Sequence, residues 1–347
     1  MTYNVRDNSD EGADTGAAAA RPAIMKAITQ DRYGPAEALH LAKVGLPEIA
    51  EDEVLVRVRA AGVDRGVVHL MTGLPYPVRL VGYGLRKPKN PVLGMDLSGV
   101  VTAVGSAVTE FAPGDEVFGI GRGSFAEYAP ALKSKLAPKP ANTTHLQAAA
   151  IAISGLTALQ AVRDHAHATT GCRILVTGAS GGVGSFAVQI AKALGAEVTG
   201  VCSASKMDVV RSIGADDVID YTSQDFTRTG EHFDAVVDTG GNRSLSDLRR
   251  ILTDDGRLVI VGGENGGRWL GGADRQLRAM VLSRFVSQDL GTFISKESGK
   301  DLRVLAQMIE AGDLTAVIDT TYPLSEVADA VRHVEQGRSR GKVVITI

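Results

Sequence analysis

The run Arg173-Ile-Leu-Val-Thr-Gly-Ala-Ser-Gly-Gly-Val-Gly184 decides the fold. Its first five residues are a short apolar strand with few polar breaks. Glycines then allow a sharp reversal and a close backbone approach. Val183 to Leu194 continues with the periodicity of a helix, and Glu197-Val-Thr-Gly-Val201 is a second strand. A strand, a glycine turn and a helix in that order put free backbone N–H groups at a positive helix end, the usual seat of a dinucleotide pyrophosphate. Glycine alone is weak evidence, because any tight strand-to-helix turn can use it. The flanking strand, helix and second strand give it context.

Downstream, strands and helices keep alternating. Lys206–Ile213 reads as a helix and Asp217–Asp220 as a strand. Phe233–Asp238 is a strand, Leu245–Leu252 a helix and Arg257–Gly262 a strand, with a possible edge strand over Ser283–Phe293. Such alternation specifies a parallel sheet covered by helices, a Rossmann doubly wound α/β domain. Leu146–Val162 precedes it as an Ala- and Leu-rich helix with an expected break at Ser154-Gly155. Upstream the texture differs. Glu53–Arg59, Leu97–Gly105, Glu116–Gly119 and Ser124–Tyr128 are short, closely spaced strands around the turn Pro113-Gly-Asp115, the pattern of a small β-barrel. After Asp301–Ala311 and Ser325–Glu335, two helical stretches, the strand Lys342–Ile347 returns to that first domain.

The chain has 347 residues, 44% hydrophobic and 22% charged, with a formal net charge of -3. Those values fit a globular protein of two domains and give no basic face for nucleic acid. Two cysteines, Cys172 and Cys202, make neither a disulfide framework nor a four-thiolate zinc site. Residues 1–21 are rich in Asp, Asn, Gly and Ala and read as a disordered tail without the apolar core of a signal peptide. No run is long enough to span a membrane, so cytoplasm is the expected location.

The end of the second strand bears on cofactor choice. NAD sites usually place a carboxylate there for the ribose hydroxyls. Here the chain reads Val201-Cys-Ser-Ala-Ser-Lys206. Without a carboxylate to repel it, a 2′-phosphate could be met by Ser203, Ser205 and Lys206, with Tyr221 beside it. NADP(H) is the expected cofactor. Ser205 could equally start a helix with Lys206 exposed to solvent.

Together these motifs resemble the medium-chain dehydrogenase/reductases, from about Met25 to Ile347. The resemblance is carried by Val58-Arg-Ala-Ala-Gly-Val-Asp64, Pro91-Val-Leu-Gly-Met-Asp-Leu-Ser-Gly99, Pro113-Gly-Asp-Glu-Val-Phe-Gly119, Ser154-Gly-Leu-Thr-Ala158, the glycine run, Ser212-Ile-Gly-Ala-Asp216 and Gly341-Lys342. It implies a GroES-like barrel domain (22–146 and 295–347) interrupted by a Rossmann NADP-binding domain (147–294), with nicotinamide and substrate in the cleft between them. The zinc-dependent alcohol dehydrogenases carry Cys and Gly-His-Glu where this chain has Asp64 and Gly94-Met-Asp96. The chain is therefore similar to the zinc-free quinone oxidoreductases, and no metal is expected. Asp64, His69 and Asp96, with no thiolate and one imidazole, are a poor zinc set, and His69 reads as an ordinary polar residue.

By that resemblance Ser180, Gly181, Gly182, Val183 and Gly184 hold the pyrophosphate. Thr157 lies near the nicotinamide ribose or amide, and Ser203, Lys206 and Tyr221 lie by the 2′-phosphate. Thr239 and Gly240 face the adenosine half; Val261, Gly262 and Gly263 lie near the nicotinamide. Arg338 is either a further phosphate contact or a surface charge. Quinone reductases commonly carry Asn at the position of Asp64. The Asp here could bind ribose, relay a proton or pair with Arg65. Tyr76, Tyr83 and Arg86 lie in an apparent substrate loop, Leu74–Pro91. The implied activity is NADPH-dependent reduction of quinones or α,β-unsaturated carbonyls. Alternatives are alcohol or aldehyde dehydrogenation, enoyl-thioester reduction with Arg86, Lys87 and Lys89 at a carrier phosphate, and a non-catalytic NADPH-binding redox sensor. A small carbonyl or quinone is the expected substrate. A homodimer through Arg284–Phe293 is the expected assembly.

Overall fold

A computed structural model describes residues 22–262 and 267–347. The N-terminal stretch 1–21 and Gly263 lie outside the described residues. The first half begins with an antiparallel hairpin of β1 (Ile24–Thr29) and β2 (His40–Gly45). There follow β3 (Glu53–Val63), β4 (Asp96–Val104), β5 (Glu116–Ile120), β6 (Tyr128–Leu132) and β7 (Leu136–Pro138). Strand β3 alternates exposed Arg57 and Arg59 with buried Val56, Val58 and Ala60, so one face is core and the other faces outward over that stretch. Two register shifts between β3 and β4 bend the sheet as barrel closure needs.

The second sheet holds β8 (Arg173–Thr177), β9 (Glu197–Cys202), β10 (Asp217–Asp220), β11 (Phe233–Asp238), β12 (Leu252–Ile260) and β13 (Asp289–Thr292). All neighbours are parallel and the order is β10-β9-β8-β11-β12-β13. The order reverses between β8 and β11, which opens a crevice at their C-terminal ends. Ile174, Leu175 and Val176 are wholly buried, the signature of a strand covered on both faces. The last two strands, β14 (Ile318–Pro323) and β15 (Lys342–Thr346), leave this sheet. They join the first one, β15 pairing antiparallel with β3.

Three local expectations are corrected. The helical stretch after Thr144 breaks at Ala150-Ile151, between the helices His145–Ala149 and Ala152–Leu159. Ser154 and Gly155 sit inside the second helix. Gly155 serves packing: a Cβ there would lie 3.1 Å from Leu305 Cδ1 on the helix Gly299–Glu310. The edge strand is shorter than expected. Ser283–Phe285 is a 3-10 turn, and the Ser283 hydroxyl accepts from Leu290 N at 3.0 Å, closing the loop before β13. Finally, β12 starts five residues earlier than the apolar run, at Leu252, because Phe233 pairs with Leu252 across an irregular register.

Candidate functional site

The glycine turn joins β8 to the helix Gly182–Ala193, and its shape depends on missing side chains. Gly178 has φ +63°, and a Cβ there would lie 2.6 Å from Thr239 Oγ1. A Cβ on Gly184 would lie 2.1 Å from the Gly178 carbonyl oxygen. Gly181 is the N-cap and donates its N–H to Gly178 O at 2.9 Å. The first N–H groups of the helix have no intrahelical acceptor, and the helix dipole adds positive charge there. Gly181, Gly182 and Val183 are partly exposed at this mouth, while Ser180 and Gly184 are buried behind it. The donors and the absent Cβ atoms fit a dinucleotide pyrophosphate.

Beside this turn the ends of β11 and β12 converge. Thr239 Oγ1 donates to Thr177 O at 2.6 Å, and Gly240 N donates to Thr177 Oγ1 at 3.1 Å. Val261 N donates to Asp238 O at 3.0 Å, and a Cβ on Gly262 would lie 2.8 Å from Thr239 O. Sequence reading missed the charged pair beneath them: Arg275 Nη2 donates to the buried Asp238 at 2.5 Å. Thr157, on the helix Ala152–Leu159, donates its hydroxyl to Ile153 O at 2.7 Å.

At the end of β9, Ser203 precedes a 3-10 turn without capping it by its side chain. Lys206 is not simply solvated. It is partly buried and its Nζ donates to Ser339 O at 2.9 Å. Burial lowers its pKa; Asp319 opposes that and Arg340 adds to it. Arg340, two residues beyond the Arg338 singled out from sequence, is an arginine whose charge acts on Lys206; both arginines are exposed. Tyr221 is 52% exposed at the same edge. Besides Asp319, a second nearby carboxylate is Asp220, at the end of β10 opposite Cys202. It is occupied by the Thr222 hydroxyl at 2.7 Å and the Thr222 N–H at 3.0 Å, and the hydroxyl bond is the main reason its pKa is lowered.

On the facing sheet, Asp64 caps the helix Arg65–Thr72, its Oδ1 accepting from Gly66 N at 2.7 Å and Val67 N at 3.3 Å. Its Oδ2 is buried without a hydrogen-bond partner. Lys342 Nζ lies 3.9 Å from that oxygen, 3.2 Å from Asp96 Oδ2 and 3.0 Å from Ser154 Oγ. Asp96 is completely buried and also accepts from Ile153 N at 2.9 Å. Burial pushes its pKa up to about 7; Lys342 pulls it down and Asp64 pushes it up. The medium-chain dehydrogenase/reductases that the sequence resembles can carry zinc, but these residues do not fit it. An ammonium already stands between the two carboxylates, and no cluster of three His, Cys, Asp or Glu among the described residues is placed to hold a metal. His69 is exposed, with Nδ1 2.8 Å from Leu74 O.

Met95, next to Asp96, opens into a cavity of about 670 Å³ on the barrel side, also lined by Gln30, Leu70, Tyr83 and Ile120. Tyr83 therefore faces that cavity. Tyr76 does not line it: its ring packs edge-on to Trp269, with centroids 5.1 Å apart, and lies 5.0 Å from the Arg79 guanidinium. Arg86 is exposed.

The sequence profile described as "Alcohol dehydrogenase GroES-like domain" matches residues 50–141, and the one described as "Zinc-binding dehydrogenase" matches residues 213–345. The mitochondrial NAD(P)H oxidoreductase RTN4IP1 of Bos taurus is 34% identical over 365 positions, covering 94% of this chain and 90% of the bovine protein. The chain is a medium-chain dehydrogenase/reductase of the quinone oxidoreductase-like branch. The 2-methylene-furan-3-one reductase of Solanum lycopersicum is 31% identical, covering 96% of this chain and 82% of its own. The solved quinone oxidoreductase of Coxiella burnetii superposes with a TM-score of 0.82 at 27% identity, over 93% of this chain and 99% of its own. As a medium-chain dehydrogenase/reductase the protein is an oxidoreductase that uses a nicotinamide cofactor and acts on small molecules. No helix among the described residues is long and apolar enough to cross a membrane.

Proposed function

We propose that the protein is an NADPH-dependent reductase of quinones or α,β-unsaturated carbonyls that works without zinc. One observation carries the reading: where the zinc branch of this family needs soft metal ligands, Lys342 stands as a fixed cation between Asp64 and Asp96. The bound nicotinamide would supply hydride. The chain then has to bind, orient and exclude water. Ser180 to Gly184 would seat the pyrophosphate, and Ser203, Lys206 and Tyr221, joined by Arg340, the 2′-phosphate. Thr239, Gly240, Val261 and Gly262 would flank the rest of the dinucleotide, with Thr157 towards the nicotinamide. Asp64 Oδ2, which lacks a hydrogen-bond partner, is an acceptor for a ribose hydroxyl, and Tyr83, which lines the cavity with Tyr33 and Tyr128, would meet substrate there. Tyr76 packs on Trp269 outside that cavity.

NADPH oxidation measured with a panel of quinones, free enones and an enoyl thioester tests this. Turnover of quinones or enones is expected. Binding without turnover on any acceptor would refute it, and a strong preference for the thioester would move the substrate class. We also propose a homodimer through the β13 edge, because β13 is the outer strand and Met280, Val281, Phe285 and Ile294 are exposed beside it. A monomer in light scattering would refute that. A cytoplasmic location remains part of the proposal and is tested by cell fractionation.

A further inference from the structure

Gly341-Lys342 opens the last strand, and Lys342 does more than occupy the place of a metal. Its side chain is 2% exposed and gathers groups from separate elements: Asp96 from β4, Ser154 from the helix Ala152–Leu159, and Asp64 from the cap of Arg65–Thr72. The same side chain supports the nucleotide turn. A Cβ on Gly182 would lie 3.0 Å from Lys342 Cδ and 3.3 Å from Ser154 Oγ, and Gly341 forms a parallel bridge with Gly181. The stem of this lysine and its hydroxyl partner therefore abut the first turn of the pyrophosphate helix, on the side of the two buried carboxylates.

We propose that Lys342 is the positioning residue of the nucleotide site, seating the Gly181-Gly182 turn on the catalytic sheet and keeping the partly buried Asp64 and the fully buried Asp96 from repelling the dinucleotide. This rests on the pyrophosphate lying at that turn. The charge count explains why the lysine matters. With Asp96 protonated, Lys342 and Asp64 sum to zero. With Asp96 ionised, the cluster carries one negative charge in a low-dielectric interior beneath an anion. The groups packed against Asp96 are Lys342, Asp64, the Ile153 N–H and side-chain-free Gly62. Lys342 is the one cation among them. Burial holds the Asp96 carboxyl at about 7, so the cluster changes charge near neutral pH.

The test is NADPH titration by fluorescence at several pH values, with Tm recorded for each variant. For wild type, Kd is expected to rise with pH through about 7. Asp96→Asn should flatten that profile. Lys342→Met should raise the NADPH Kd about tenfold or more, with a smaller change in the acceptor KM at saturating NADPH. Because that variant leaves Asp96 buried without its cation, Asp96→Asn/Lys342→Met is the folded control. It should recover Tm but keep the raised Kd at about pH 6. If wild type fails to bind NADPH, the dinucleotide reading itself fails. If wild type binds, then NADPH affinity in Lys342→Met within about twofold of wild type, full recovery in the double variant, or a pH-independent wild-type Kd each overturns the inference.

Discussion

Alanine at Gly184 and alanine at Gly181 should damage two different properties of one turn. A Cβ on Gly184 would stand 2.1 Å from Gly178 O, 2.8 Å from Gly178 C and 2.9 Å from Ala179 Cα. Comfortable carbon contacts begin near about 3.5 Å, so the strand and helix must separate by roughly 1 Å. All three obstacles are backbone and cannot swing aside. Overpacking of this kind costs about 1–3 kcal/mol, or roughly 1–4 °C in Tm for a chain of this size. Gly181 is the contrast. Its φ of -83° and ψ of 177° suit any residue, and the nearest atom to an added Cβ is Gly178 O at 3.3 Å. Gly181→Ala should therefore melt close to wild type. Its new methyl, however, stands at the mouth where the pyrophosphate would approach. Losing that approach should weaken NADPH by about 1.4–3 kcal/mol, roughly 10- to 100-fold in Kd. Thermal melts without ligand, followed by NADPH fluorescence titration, read both effects. Wild-type affinity in Gly181→Ala, or an undiminished Tm in Gly184→Ala, would refute the reasoning.

Lys206→Met should raise the Kd for NADPH roughly 10- to 100-fold while leaving that for NADH nearly unchanged, since a charge-assisted phosphate contact contributes about 1.5–3 kcal/mol; parallel titrations check it. Asp64→Ala should cost about 1 kcal/mol through loss of the helix cap, whereas Asp64→Asn keeps the cap and removes the charge facing Lys342, so activity lost beyond the accompanying change in Tm reports on the Asp64 carboxylate rather than on the cap. Asp96 has a folded-state pKa raised to about 7, so its protonated form favours the native state. Its contribution is present below the usual carboxylate pKa and is lost as pH rises towards about 7. Chemical denaturation should accordingly show wild type losing stability relative to Asp96→Asn across that window, and parallel curves would contradict the assignment.

The Rossmann half was legible because its signals are local. β8 and β11 follow their apolar runs residue for residue, since central strands covered on both faces are largely apolar, and the short edge strand β10 also keeps its expected bounds. The turn was legible because its glycines lie together between a strand and a helix, and Gly184 cannot take a side chain without meeting backbone. Other parts depend on partners distant in sequence. Gly155 reads as a helix breaker, yet it sits within a helix because Leu305 needs the space. Arg340 joins Arg338 as a candidate only in the folded chain, which brings it within the electrostatic reach of Lys206. The Lys342 cluster draws Asp64, Asp96 and Ser154 from widely separated positions, and only the pairing of β15 with β3 assembles them. The Asp238–Arg275 pair was hidden for the same reason.

The central claim is tested most directly by kcat/KM for NADPH and for NADH with one good quinone or enone acceptor, in protein whose zinc content is measured alongside. The account predicts turnover without stoichiometric zinc and a preference for NADPH of about tenfold or more. A preference for NADH, or activity that tracks bound zinc, would contradict it.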